Sequence, residues 1–196
     1  MAILELKSGE MQDEETIAGA LERVSKESSR LTLVTVEAIG ATERHLGKAG
    51  DQAAGQDLVL ASTLAEGIRT FHTQVAEQLT SDAVRSQTQH LISGLFEELS
   101  QLLQGIHLIG ELSPQGRAVL LSYGERTSAV IVAQALKARD VRAESVAARL
   151  LYLSQSPSIP EKVKKRTVAD VRREVGALLD SGTLVVIPAS LKSHLP

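Results

Sequence analysis

Two stretches of this 196-residue sequence set ionisable side chains where they could do chemistry. The first is Ser122-Tyr123-Gly124-Glu125-Arg126, a carboxylate and a guanidinium immediately ahead of a run, Thr127 to Leu136, that is apolar or small on nearly every side. Desolvating an unpaired carboxylate costs several kcal/mol in principle. Glu125 therefore needs either a partner or a role. It caps the helix that begins there, pairs with Arg126 or a neighbouring segment, or serves a ligand. The second stretch is Lys7-Ser8-Gly9-Glu10, directly after the apolar-rich Ala2 to Leu6. Loops after a first strand often cradle phosphate on backbone N–H groups and a lysine. One glycine and one lysine do not make a Walker loop, and an ordinary connector fits the same residues.

Other chemistries find little support. The five histidines show no H-x-H or H-x-x-x-H spacing, so no metal site is expected, and His72, on an apolar stripe, reads as a core or interface histidine. Lys162, Lys164, Lys165 and Arg166 form a basic run that reads as a solvated face in a chain of net charge −3. That charge, with only 2% aromatic residues, argues against nucleic-acid binding. There is no G-x-S-x-G elbow. The absence of cysteine removes disulfides, thiolate metal sites and thiol nucleophiles, and fits a reducing cytoplasm. No stretch approaches the roughly 18 apolar residues of a membrane span, so a soluble cytoplasmic protein without a membrane partner is expected.

The elements that must position these residues follow an α/β order. With 43% hydrophobic residues and few aromatics, one domain over 1–196 would build its core from Leu, Val, Ile and Ala, as helices sandwiching a parallel-type sheet do. Strands are expected over 2–6, 31–36, 141–146 and 183–187. Asp13 is placed to cap a first helix running to about Ser29. Residues 47–57, polar and glycine-rich, read as a loop. Leu58, Ala61, Ala65, Ile68, His72, Val75 and Leu79 trace one helical stripe, and Val84, Leu91, Leu95, Leu99 and Leu102 a second, joined as an antiparallel hairpin over about 56–104. Ser113-Pro114 opens either two consecutive helices, 114–121 and 125–138, or one broken helix. Residues 154–166 read as a loop or lid, and Val168 to Asp180 as an amphipathic helix ended at Gly182.

Residues 105–141, GIHLIGELSPQGRAVLLSYGERTSAVIVAQALKARDV, closely resemble the aspartokinase segment G-x-x-x-x-G-E-L-[ST]-P-x-x-x-D-x-[IL]-x-S-x-G-E-R-x-S-A-x-x-x-A-x-x-L-x-x-x-G-V. The flanking order of strand, lysine loop, helix, strand, helical hairpin and the closing LLDSGTLVVI agrees. Essentially the whole chain resembles the first half of an aspartokinase catalytic domain, in the amino acid kinase superfamily. The resemblance implies that Glu125 binds the amino group of aspartate within a motif that includes Ser122 and Gly124. It also implies that Lys7 and Gly9 belong to a phosphate loop in which Lys7 would act catalytically by neutralising ATP phosphates.

The sequence departs from that pattern at the site itself. Against K-F-G-G-T-S it has Lys7-Ser8-Gly9-Glu10-Met11-Gln12, V-S-A becomes Val36-Glu37-Ala38, and G-F becomes Pro188-Ala189-Ser190. Carboxylates at 10 and 37 would repel a triphosphate. The G-R-G-G-S-D motif, ATP-binding lobe and ACT domains of aspartokinases do not appear in these residues. The expectation is a non-catalytic homologue, inactive alone and without a cofactor, that forms a homodimer or joins a related kinase and retains binding of a small amino acid. The alternative is an aspartate kinase subunit or fragment, transferring phosphate from Mg-ATP to the L-aspartate side chain once a separate ATP-binding half is supplied.

Overall fold

Apolar β-branched runs and amphipathic stripes alternate along the chain, and in the computed structural model, which describes residues 2–146 and 161–194, they become strands and helices in turn. Strands β1 (Ile3–Leu6), β2 (Leu33–Val36), β3 (Ala143–Ser145) and β4 (Leu184–Pro188) form a parallel sheet in the order β1-β2-β4-β3. The helices are α1 (Glu14–Glu27), α2 (Thr42–Ala54), α3 (Leu58–Leu79), α4 (Asp82–Ile109), α5 (Pro114–Lys137) and α6 (Glu161–Asp180). Short 3-10 turns, Ser8–Glu10 and Ala189–His194, follow β1 and β4. This is an α/β fold with helices on both faces of the sheet.

The central strands β2 and β4 read as nearly unbroken apolar runs because both their faces are covered. Val34, Val36, Leu184 and Val186 join the main core with α1 to α5, while Leu33, Val185 and Ile187 meet Val171 and Val175 of α6 on the other side. Asp13 caps α1 by accepting from the Thr16 N–H at 3.0 Å, and Thr16 Oγ1 accepts from the Asp13 N–H at 3.1 Å in return. Ser113 Oγ accepts from Gly116 N at 3.1 Å and opens α5, with Pro114 in the first turn. From there α5 runs unbroken to Lys137, neither two helices nor a broken one.

Three other expectations change. Residues 47–57 are not a loop: α2 occupies all but 55–57. Of its internal glycines Gly50 serves packing rather than a turn, since a Cβ there would stand 2.4 Å from Leu120 Cδ2 and 2.8 Å from Leu112 Cδ2. Gly50 lets α2 lie close against α5. In the supposed loop or lid over 154–166, residues 154–160 lie outside the described residues, and 161–166 are the first turns of α6. On α3 the expected stripe is the buried face. On α4 it is rotated, with Ile92, Leu95, Phe96, Leu99, Leu103 and Ile106 buried and Val84, Leu91 and Leu102 half-buried. No helix among the described residues is long and apolar enough to cross a membrane.

Glycines inside helices separate into two kinds on this basis. Gly94, midway along α4, has no atom within 4 Å of an added Cβ. Gly94→Ala should therefore raise unfolding stability by about 0.5–1 kcal/mol through helix propensity alone. Gly50→Ala gains the same propensity but overlaps the buried Leu120, and overpacking of that kind costs about 1–3 kcal/mol. Urea denaturation should show Gly94→Ala above the parent and Gly50→Ala below it; the opposite order would mean that the α2–α5 contact is loose.

Candidate functional site

Loops that leave the carboxyl ends of β1, β2 and β4 converge at one edge of the sheet, where ligands bind in open parallel α/β sheets. The β2–α2 turn, residues 37–41, is held from three sides. Glu37 N–H donates to Leu6 O at 3.0 Å, Gly40 N–H to Met11 O at 2.6 Å, and Ile39 N–H to Ser128 Oγ at 3.1 Å. Ser128 Oγ in turn donates to Gly124 O at 2.9 Å. A Cβ at Gly124 would stand 3.0 Å from Ala38 Cβ and 3.1 Å from Thr42 Cγ2. This close approach of α5 delivers Glu125 to the sheet edge.

Glu125 lies within α5, not at the start of a helix, and it does not pair with Arg126. One of its carboxylate oxygens, Oε2, accepts from the Ser190 N–H at 3.1 Å and from the Ser190 hydroxyl in the turn after β4. Burial raises its pKa above 4.5; the Ser190 hydrogen bonds oppose the rise, and repulsion from Glu43 and Glu37 adds to it. Arg126 points elsewhere, bonding Glu98 at 3.0 Å and lying 4.5 Å from the Tyr123 ring centre, with Nε and Nη1 buried and unbonded.

The other expected site residues are less close to a ligand position. Ser122 is buried and donates to Val119 O at 2.6 Å, a bond internal to its helix. Lys7 is exposed, with Nζ 4.0 Å from Glu5 Oε2. Gly9 is exposed, with nothing near a hypothetical Cβ. Two backbone N–H groups of the loop face carboxylates, Ser8 N–H donating to Glu37 Oε2 at 2.7 Å and Lys7 N–H to Glu10 Oε2 at 3.4 Å, while Glu10 also pairs with Arg23; those of Glu10 and Met11 donate to the Lys7 and Ser8 carbonyls. As arranged, residues 7–12 do not fit a triphosphate.

An open cleft of about 440 Å³ lies over this edge, lined by Ser8, Gln12, Glu37, Glu43, Arg44 and the 38–41 turn. A second, more apolar groove of about 570 Å³, with Leu64, Ile68 and Phe71, adjoins it across Gly40 and Ala41. Among the described residues no cluster of His, Asp or Glu could hold a metal ion. The cleft's carboxylates suit a positively charged group of a small solute. Glu43, Arg44 and Ser128 are residues that sequence reasoning missed; only Ser128 had a signal, lying in the small-residue run of the GERTSA motif.

Behind the cleft, His72 is fully buried between α2, α3 and α4, 3.1 Å from Thr42 Oγ1 through Nε2. The Thr42 hydroxyl already donates to Ile39 O at 2.6 Å, so it accepts from His72 Nε2–H. That tautomer leaves Nδ1 as a buried acceptor with no donor. His72 is thus the core histidine expected, satisfied at one nitrogen only.

The fold is an α/β lobe with a parallel sheet flanked by helices and a helical hairpin between β2 and α5. It matches E. coli aspartokinase III in complex with aspartate and ADP (R-state), with TM-score 0.67 and 19% identity, and in complex with lysine and aspartate (T-state), with TM-score 0.71 and 17% identity. Each match covers 95% of this chain and 40% of the aspartokinase chain, so these residues span about two fifths of that protein's length. No protein-family model matches the chain.

Two titrations test the site. Burial pushes the His72 pKa from 6.5 down to about 3. Below pH 6.5 the unfolded chain takes up a proton that the folded state refuses, so the stability present above 6.5 falls by up to about 1.4 kcal/mol per pH unit towards pH 3. Urea midpoints at pH 7.5, 6 and 5 should fall less steeply in His72→Leu than in the parent; parallel curves would place the histidine in contact with water. Glu125 has the opposite sign. Its folded state holds the proton more tightly than the unfolded chain, so its contribution is greatest below pH 4.5 and is lost as the pH rises through the raised pKa. Glu125→Gln should raise the melting temperature by about 2 °C at pH 8 and leave it unchanged near pH 4. Equal effects at both would exclude a desolvated carboxylate.

Proposed function

We propose that the chain is the amino-acid-binding half of an aspartate-kinase-like assembly. Glu125 receives the ammonium group of a small amino acid, L-aspartate in the first instance, and Glu37 and Glu43 add to the negative potential around it. Phosphoryl transfer from Mg-ATP to the aspartate side chain is then an activity of the assembly, with the nucleotide held by a separate half outside these residues. The observation that carries this reading is the place of Glu125: a half-buried carboxylate delivered by a close-packed helix to the carboxyl edge of the sheet, its Oε2 held by two donors of a single serine. The likeness to a protein solved with aspartate bound supports the choice of ligand.

A second reading is favoured by one observation. The Glu37 carboxylate takes the Ser8 N–H, and Lys7 is turned towards Glu5. This arrangement suits a homologue that binds an amino acid without phosphoryl transfer and acts by joining a second copy or a related kinase.

Calorimetry with L-aspartate and Mg-ATP in separate titrations, with a phosphoryl-transfer assay alongside, tests both. The expected result is heat from aspartate, none from Mg-ATP and no turnover by the chain alone. Glu125→Gln should weaken aspartate binding by about 10- to 100-fold, the worth of one charge-assisted hydrogen bond. No aspartate heat at millimolar concentration would overturn the amino-acid reading. Binding of Mg-ATP by these residues would overturn the placement of the nucleotide elsewhere.

A further inference from the structure

The cleft at the β2–α2 turn is lined by one cationic side chain. Arg44, in the first turn of α2, lines it together with Glu37 and Glu43 and is exposed to solvent. Arg23, Arg117 and Arg126 close on the carboxylates of Glu10, Asp51 and Glu98, and Arg139 and Arg142 on backbone carbonyls. Among the described residues the Arg44 guanidinium makes no ion pair and no hydrogen bond, although two glutamates share its cleft.

Geometry keeps it open. Glu43 and Arg44 are successive residues of a helix, so their side chains diverge by about 100°, and Glu37 is engaged by the Ser8 N–H at 2.7 Å. The five guanidinium donors are left to solvent, in a fork that matches a carboxylate in bidentate fashion. The cleft, about 440 Å³, falls within the range of small-molecule sites, about 300–1,000 Å³. Its lining carries both signs, Arg44 with Glu37 and Glu43, and the two glutamates are close enough to Glu125 to disfavour its ionisation. A solute with an ammonium at one end and a carboxylate at the other complements both poles. A dicarboxylate without an amine meets the repulsion of three glutamates and only one guanidinium.

We propose that Arg44 is the carboxylate-binding residue of this cleft, so that the site selects free zwitterionic amino acids by gripping both ends. The inference rests on the amino-acid reading above and adds to it the residue that sets specificity. It also makes the site bipolar within these residues: α2 carries the cation, and Glu37 and Glu43, with the nearby Glu125 of α5, supply the negative pole.

Calorimetry on the full chain tests it with four probes: L-aspartate, its α-amide, its β-amide L-asparagine, and succinate. The parent should bind L-aspartate at least about ten-fold more tightly than one of the two amides and should give no heat with succinate. Arg44→Ala should weaken L-aspartate by about 10- to 100-fold and bring it level with that amide. Arg44→Lys, a point charge without the fork, should recover part of the loss. Because the side chain is exposed and unbonded, both variants should melt within about 2 °C of the parent.

The inference fails if Arg44→Ala binds L-aspartate as tightly as the parent and still distinguishes it from the amide; the amino-acid reading then stands with another residue on the carboxylate. Tight succinate binding by the parent would overturn the selection of zwitterions. If the parent binds no amino acid at all, both readings fall together.

Discussion

The approach of α5 to the β2–α2 turn is the constraint on which the site depends. At Gly124 there is no room for a side chain, with Ala38 Cβ 3.0 Å from where a Cβ would stand, and one turn later the Ser128 hydroxyl takes the Ile39 N–H. A larger residue at 124 would lift the helix and withdraw Glu125 from the sheet edge. The same economy of size operates at Gly50, where α2 closes on Leu120 of α5. The two contacts fix α2 and α5 against each other, so the charged residues they carry are set on rigid elements rather than on loops.

That rigidity has an electrostatic consequence. Glu125 is held where burial and the neighbouring Glu43 and Glu37 disfavour its charge, and the hydrogen bonds from Ser190 only partly offset this. Nothing in the packing of α5 calls for an ionisable group at that position, since Ala129 to Ala133 and Ala135 to Leu136 fill the same helix with apolar atoms. A carboxylate kept in an unfavourable place by a well-packed scaffold is the kind of local inconsistency that marks a binding site.

Much of the fold is legible in the sequence because its elements are defined by local periodicity. The central strands β2 and β4 announce themselves as β-branched runs covered on both faces, and the α3 stripe through His72 follows from the helical repeat. Helix α2 is not legible, because Gly47, Gly50 and Gly55 look like turn residues until the helix that packs against them is known. At the site, Glu125 stands out as a carboxylate beside an apolar run, but its partner Ser190 lies 65 residues away and Arg44 sits in no motif, just ahead of the glycines that resemble a loop. Lys7 and Gly9 stand out for the reverse reason: their motif is local, whereas the carboxylate from Glu37 that takes the loop's N–H comes from the end of another strand.

The contest between a phosphate loop and an acidic one turns on hydrogen bonds rather than on the lysine. An N–H group that already donates to a carboxylate at 2.7 Å is closed to a phosphate unless the carboxylate leaves, and a departing Glu37 would still stand beside the incoming negative charge. Arg23 draws Glu10 away from the cleft but leaves its Oε2 within 3.4 Å of the Lys7 N–H. These carboxylates oppose a nucleotide and favour a cationic group, and Arg44 adds the opposite charge to the same cleft lining. On the proposed reading, the residues that make 7–12 a poor phosphate loop are those that make the cleft beside it a place for an amino acid.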